Sequence, residues 1–284
     1  MSYNLSWNYD GLFCGENGLM YLPESERVIY ERNPLIQVAC QLRFPPILKI
    51  SRQEPVDFQD EIRFQYPLFE STQPKVPSEI SQAIQKFGLP LLSDISYSFK
   101  SEDQIWHLCI SKDSITLSTS AYERYEHFQK RFREAVELFE RIYTPSFYTR
   151  VGLQYQDLII RSKLGLKNQQ WSDLITEHIG SELYNAKLAP SIQSIIKDLV
   201  LKTEQGQVHF KHGLVSVKQP DRSDDELAYL LDADFYTERK IERGENVWNI
   251  LGKFNKSARN LFRWSITDTL HHAMRPQTVE TTEI

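Results

Sequence analysis

Between Leu35 and Phe44 the chain alternates. Ile36, Val38, Cys40, Leu42 and Phe44 fall on one side, and Gln37, Gln41 and Arg43 on the other. This period of two predicts a strand with one buried face. Pro34 and Pro45-Pro46 bound it, since a residue without an N–H cannot extend a ladder. Glu54-Pro55 then opens a helix, where the missing proline N–H is harmless. Phe58, Ile62 and Tyr66 recur every four residues along it until Pro67. A short helix is expected near Ile80 to Phe87. Three strand-like runs follow: Ile95 to Phe99, Ile105 to Ile110 and Ser114 to Thr119. The polar turns between them are short, so the runs predict an antiparallel meander. Tyr122 to Tyr143 reads as a helix with a ridge of Phe128, Phe132, Val136, Phe139 and Tyr143, closed by Pro145.

The same order then recurs. Tyr148 to Ile160 predicts a strand and Trp171 to Tyr184 a helix. Ile192 to Lys202, Gln207 to Val217 and Leu227 to Phe235 predict three strands. A long helix runs from about Glu245 to Met274, stopped by Pro276. The expected fold is α+β: two tandem β-α-β-β-β-α units forming a largely antiparallel sheet, with two long helices packed on one face. Residues 1–30 form an N-terminal extension, 31–146 the first unit, 147–276 the second unit and 277–284 a disordered tail. The aromatics Tyr3, Trp7, Tyr9, Phe13 and Tyr21 either pack the extension on the surface or form an arm that orders on a partner.

Composition narrows the chemistry more than it names it. Only 11 glycines occur, and neither G-x-G-x-x-G nor G-x-x-x-x-G-K-[ST] is present, which speaks against a phosphate-cradling loop. The net charge of −5 speaks against a bulk electrostatic nucleic-acid binder but allows a local basic stripe. The three cysteines Cys14, Cys40 and Cys109 are far apart and odd in number. They predict neither a disulfide framework nor a zinc ribbon, and fit a reducing cytoplasm. The N-terminus lacks the pattern of a signal peptide, and no apolar run has the ~20 residues that cross a bilayer. A cytoplasmic protein with no membrane partner is therefore expected.

Several stretches together carry a resemblance: E-R-N-P-L-I-Q-V-A-C-Q-L-R-F-P, F-Q-D-E-I-R-F-Q-Y-P, R-V-G-L-Q-Y, L-L-D-A-D-F-Y and F-R-W-S-I-T-D-T-L-H-H-A-M-R-P. From about residue 31 to 276 the chain resembles a sporadically distributed bacterial family without an assigned function. The resemblance implies a shared fold and no activity. Its patchy distribution implies a mobile or defence-associated gene context.

Candidate chemistry is sparse. Asp232 and Asp234 are two apart on a strand and share a face, either as half of a divalent-metal site or as solvent-facing charges. His209 and His212 have odd spacing and point to opposite faces. Asp268 and His271 are neighbours on the last helix, but no second pair of that spacing accompanies them, and His271 and His272 also complement the helix C-terminus. No metal and no cofactor is expected, and no G-x-S-x-G elbow is present. The last helix offers more. Val247, Ile250, Leu251, Phe254, Ala258, Leu261 and Phe262 project in one arc, and Lys253, Lys256, Arg259 and Arg263 in the opposite one. Such a stripe is either a solvated face or a docking surface for nucleic-acid backbone or an acidic partner. The expected function is a non-enzymatic binding protein, with a protein partner or self-association at the seam between units or on the sheet face. Arg43 joins the candidate residues there. The alternative is nucleic-acid association through Lys253, Lys256, Arg259 and Arg263.

Overall fold

The computed structural model describes residues 18–72, 95–218 and 225–278. Its centre is a nine-stranded sheet in which every neighbouring pair is antiparallel. In chain order the strands are β1 Val28–Tyr30, β2 Leu35–Arg43, β3 Leu68–Thr72, β4 Ser96–Lys100, β5 Trp106–Ser111 and β6 Ser114–Thr119. Then come β7 Arg150–Ile159, β8 Ile195–Thr203, β9 Gly206–Val217, β10 Glu226–Thr237 and β11 Pro276–Thr278. The large sheet has the order β3-β4-β5-β6-β2-β7-β10-β9-β8, and β1 pairs with β11 apart from it. Strands β2 and β7 thus lie side by side at the centre.

Alternation places the core on one side of this sheet. Cys40 pairs in register with Leu117 and Leu153, and Leu153 with Phe235. Opposite residues of an antiparallel pair share a face, and these four are buried. The helices cover this side. They are α1 Leu48–Arg52, α2 Val56–Ile62, α3 Tyr125–Tyr143, α4 Arg161–Leu164, α5 Glu245–Ser265 and α6 Asp268–Ala273. Phe128 of α3 stacks on Trp106 at 6.0 Å between ring centres. Phe254 of α5 meets Phe235 at 6.2 Å. Phe132 and Trp248 join the two helices edge to face. Each such ring, fully buried, contributes on the order of 2 kcal/mol. The ridge expected on α3, from Phe128 to Tyr143, is buried throughout. Thr144 in the left-handed conformation and Pro145 end it.

The structure departs from the sequence expectations in five places. A register shift between Leu35 and Gln37 turns Ile36, expected on the buried face, out to solvent. The long C-terminal helix is two helices. Ile266 is extended, and the Thr267 side chain accepts from the Leu270 N–H to start α6, as a threonine N-cap does. Trp171 to Tyr184 is not a helix but two short 3-10 turns, Trp171–Asp173 and Ser181–Tyr184. A reciprocal capping box between Gln170 and Asp173 fixes the first. Leu68–Thr72 adds an exposed edge strand beyond the expected meander. Pro276 to Thr278 pairs with Val28 to Tyr30, so the chain on either side of the two expected units is stitched together there. The expected helix near residues 80–87 lies outside the described residues, as do Cys14 and the aromatics Tyr3, Trp7, Tyr9 and Phe13. Among the described residues no helix is long and apolar enough to cross a membrane.

Candidate partner-binding face

Around the β2/β7 seam, in the middle of the sheet, the side away from the helices is polar. The register lays out two rows across it. One runs Thr116, Gln41, Gly152, Tyr236, Gln207. The next runs Ser118, Ala39, Gln154, Asp234, His209. Ala39 and Gly152 are small, so the rows sink into a depression of about 400 Å³.

Long side chains reach over that depression and lock one another. The Arg150 guanidinium donates to Asp234 at 2.7 Å and to the Gln41 carbonyl oxygen at 3.2 Å. It also lies over the Tyr236 ring, 4.9 Å from its centre. Arg43 donates through Nε to the same Gln41 oxygen at 3.0 Å. Gln154 and Gln156 each donate to one oxygen of Asp232, at 2.7 and 3.0 Å. Tyr236 donates to Gln207 at 2.7 Å. His209 pairs with Asp198 at 2.5 Å. Gly152 leaves room for this arrangement: a Cβ at that position would displace the Arg150 guanidinium from where it lies.

Electrostatics follow from this packing. Burial pushes the Asp234 carboxyl above its ordinary range, and the Arg150 charge and hydrogen bond hold it back. The side chains of that pair are 13% and 26% exposed, so it is shielded from salt far more than a surface pair. The hydrogen bond from His209 holds the exposed Asp198 carboxyl below its usual range. The result is a fixed array of donors and acceptors at the surface, with rotamers set before anything binds. Preorganisation of this kind lowers the entropy lost on docking.

The sequence candidates distribute unevenly over the structure. Arg43 stands exposed on this face, held by Gln41. Asp232 and Asp234 are also here, but each is bonded to neighbouring side chains. His209 faces this side, while His212 points into the core and bonds the Tyr229 hydroxyl at 2.9 Å. Cys40 is buried under the helices, whereas Cys109 lies on the polar side, opposite Thr116 and Ser98. Among the described residues no three His, Cys, Asp or Glu side chains gather as a metal site.

The four cations of α5 do not form one open row. Lys256 pairs with Glu24, and Arg263 with Asp268 and the Ile266 carbonyl. Arg259 is half-buried and lines a cavity inside the layer. Lys253 alone is exposed without a hydrogen bond or ion pair among the described residues. Asp268 and His271 do not meet: His271 bonds the Tyr30 hydroxyl at 2.8 Å. Trp248, on the same helix, is buried, and Trp264 stacks on His178 with ring centres 3.9 Å apart.

Sequence reasoning passed over Arg150, Gly152 and Gln154. Their shared parity on the second strand, with a glycine between two long polar residues, was the available signal. No family model matches the chain, and no curated protein matches it.

Proposed function

We propose that the chain is a non-enzymatic binding protein built as a tandem duplication, and that a protein partner or a second copy docks on the polar sheet face around the β2/β7 seam. The duplication is supported by strand order. Moving out from the seam, one half reads β6, β5, β4 and the other β10, β9, β8. Each half supplies a first strand, a meander and a long helix in that order. The function rests on one observation: the interlocked polar array over Ala39 and Gly152, centred on Arg150. Polar side chains that only face water gain little from being held so tightly, since fixing them costs rotamer entropy. A mobile or defence-associated bacterial setting, implied by the resemblance, belongs to the same proposal. The alternative, nucleic-acid association through α5, has less support because Lys256 and Arg263 are already paired with carboxylates.

The test places charge on each surface in turn. Arg43→Glu with Ser118→Arg alters the sheet face, and Lys253→Glu with Lys256→Glu alters α5. Light scattering reports self-association, and co-purification from the native host reports a heterologous partner. Loss of assembly with the first pair and not the second is the expected result. The reverse, with retention on nucleic acid at low salt by the unmodified chain, would favour the alternative.

A further inference from the structure

On the covered side of the sheet lies a second feature, independent of the polar face. A cavity of about 150 Å³ opens between β7, the start of α3, α5 and the β1 segment. Asp157 of β7 lines it, with its residue only 9% exposed. Its carboxyl has no hydrogen bond or ion pair among the described residues. Two other polar groups on the same wall are orphaned and buried: the Tyr125 hydroxyl and the Arg259 Nε. Buried polar groups are nearly always paired, so these two buried orphans beside the unpaired Asp157 carboxyl point to something that pairs them.

The walls define its chemistry. Tyr122 and Tyr155 stand perpendicular, with ring centres 5.7 Å apart. Tyr30 and Phe262 form a second edge-to-face pair at 5.8 Å. Asp157 lines the same space as Tyr30, Tyr122, Tyr155 and Phe262, so the carboxyl sits among these rings. A carboxylate with aromatic walls is the environment that holds an organic ammonium. The Arg259 N–H and the Tyr125 hydroxyl, in contrast, need an acceptor, and a guanidinium favours a carboxylate. No ion pair joins Asp157 to Arg259 directly, so a molecule serving both would carry both charges. The volume holds about one six-membered ring's worth of atoms.

We propose that this cavity binds a small zwitterion of the amino-acid type, its ammonium on Asp157, whose carboxyl releases its proton to solvent as the ligand enters, and its carboxylate on Arg259. Arg259, read from the sequence as part of an outward basic stripe, thus acts inward.

The experiment is a thermal-shift and calorimetry screen of the full chain against the standard amino acids, each at about 10 mM. Any amino acid that binds is then compared with its matched amine and its matched carboxylic acid. The expected result is stabilisation by at least one small amino acid, with both single-charge analogues about tenfold weaker or worse. Asp157→Asn and Arg259→Met should each weaken binding by a similar factor. Asp157→Asn is nearly isosteric, and Arg259→Lys, which keeps the charge but not the Nε–H, gives a second variant should the methionine form fail to fold. Absence of any shift across the panel overturns the proposal. So does equal binding of the amine alone, or binding indifferent to both variants.

Discussion

Replacing Asp157 by asparagine should stabilise the protein, and by an amount that depends on pH. Burial, with a smaller contribution from the Asp232 charge, raises the Asp157 carboxyl from 3.8 to about 8. In the folded chain it is protonated at pH 6, while in the unfolded chain it is ionised. The folded state therefore binds more protons between pH 4 and 8, and stability falls as pH rises through that window. The stability associated with the neutral carboxyl is fully present below pH 4 and lost by pH 8. A shift of about four units, at about 1.4 kcal/mol each, gives on the order of 5 kcal/mol. Asparagine keeps the shape and has no charge to desolvate. Urea unfolding of both proteins at pH 4, 6 and 8 should show a small difference at pH 4 that grows in favour of Asp157→Asn. The denaturant slope should stay unchanged, so that the midpoint reports stability. A difference constant with pH would refute the reasoning, because it would mean that water or a counter-charge solvates the carboxyl.

Other consequences are as direct. Burial lowers the His212 imidazole from 6.5 to about 4. It is neutral when folded and protonated when unfolded, so its contribution is present above pH 6.5 and lost as pH falls towards 4. His212→Gln should flatten that limb of the stability–pH curve by on the order of 3 kcal/mol, read by the same unfolding series. Gly213 has φ +150°, and a Cβ there would collide with the Ile195 backbone carbonyl of the neighbouring strand. Gly213→Ala should therefore destabilise by about 3 kcal/mol in chemical denaturation, since backbone rather than a flexible side chain must move. Arg150→Met leaves Asp234 half-buried without its partner. A loss of about 2 kcal/mol is expected, and NMR titration should find the Asp234 carboxyl higher than in the unmodified protein.

Much of the architecture is legible in the chain because it rests on period. Alternation from Val38 to Phe44 and on Leu227 to Phe235 fixes which side of the sheet is buried, whereas the register shift after Leu35 breaks the pattern at Ile36. The ridge of α3 is equally plain. What escaped depends on contacts between distant residues. Trp171 to Tyr184 has a helical spacing of apolar residues, yet Trp171, Leu174 and Ile175 are buried from a chain of tight turns. The break at Ile266 is written locally, in Thr267 as an N-cap, but the helical pattern continues across it. The seam itself cannot be read from either half. Arg150 matters because Gln41, Asp234 and Tyr236 come to it from two other strands. In the same way Arg259 has the spacing of an outward cation, and only packing against the β1 segment reveals that it lines a cavity.

Docking of a partner on the polar sheet face, as proposed, is open to site-specific photo-crosslinking in the native host. A photoreactive residue is placed at Gln154 on that face, and in a second protein at Lys253 on α5. A discrete crosslinked product, to a partner or to a second copy, is expected from position 154 and none from position 253. Crosslinks from position 253 alone would contradict it.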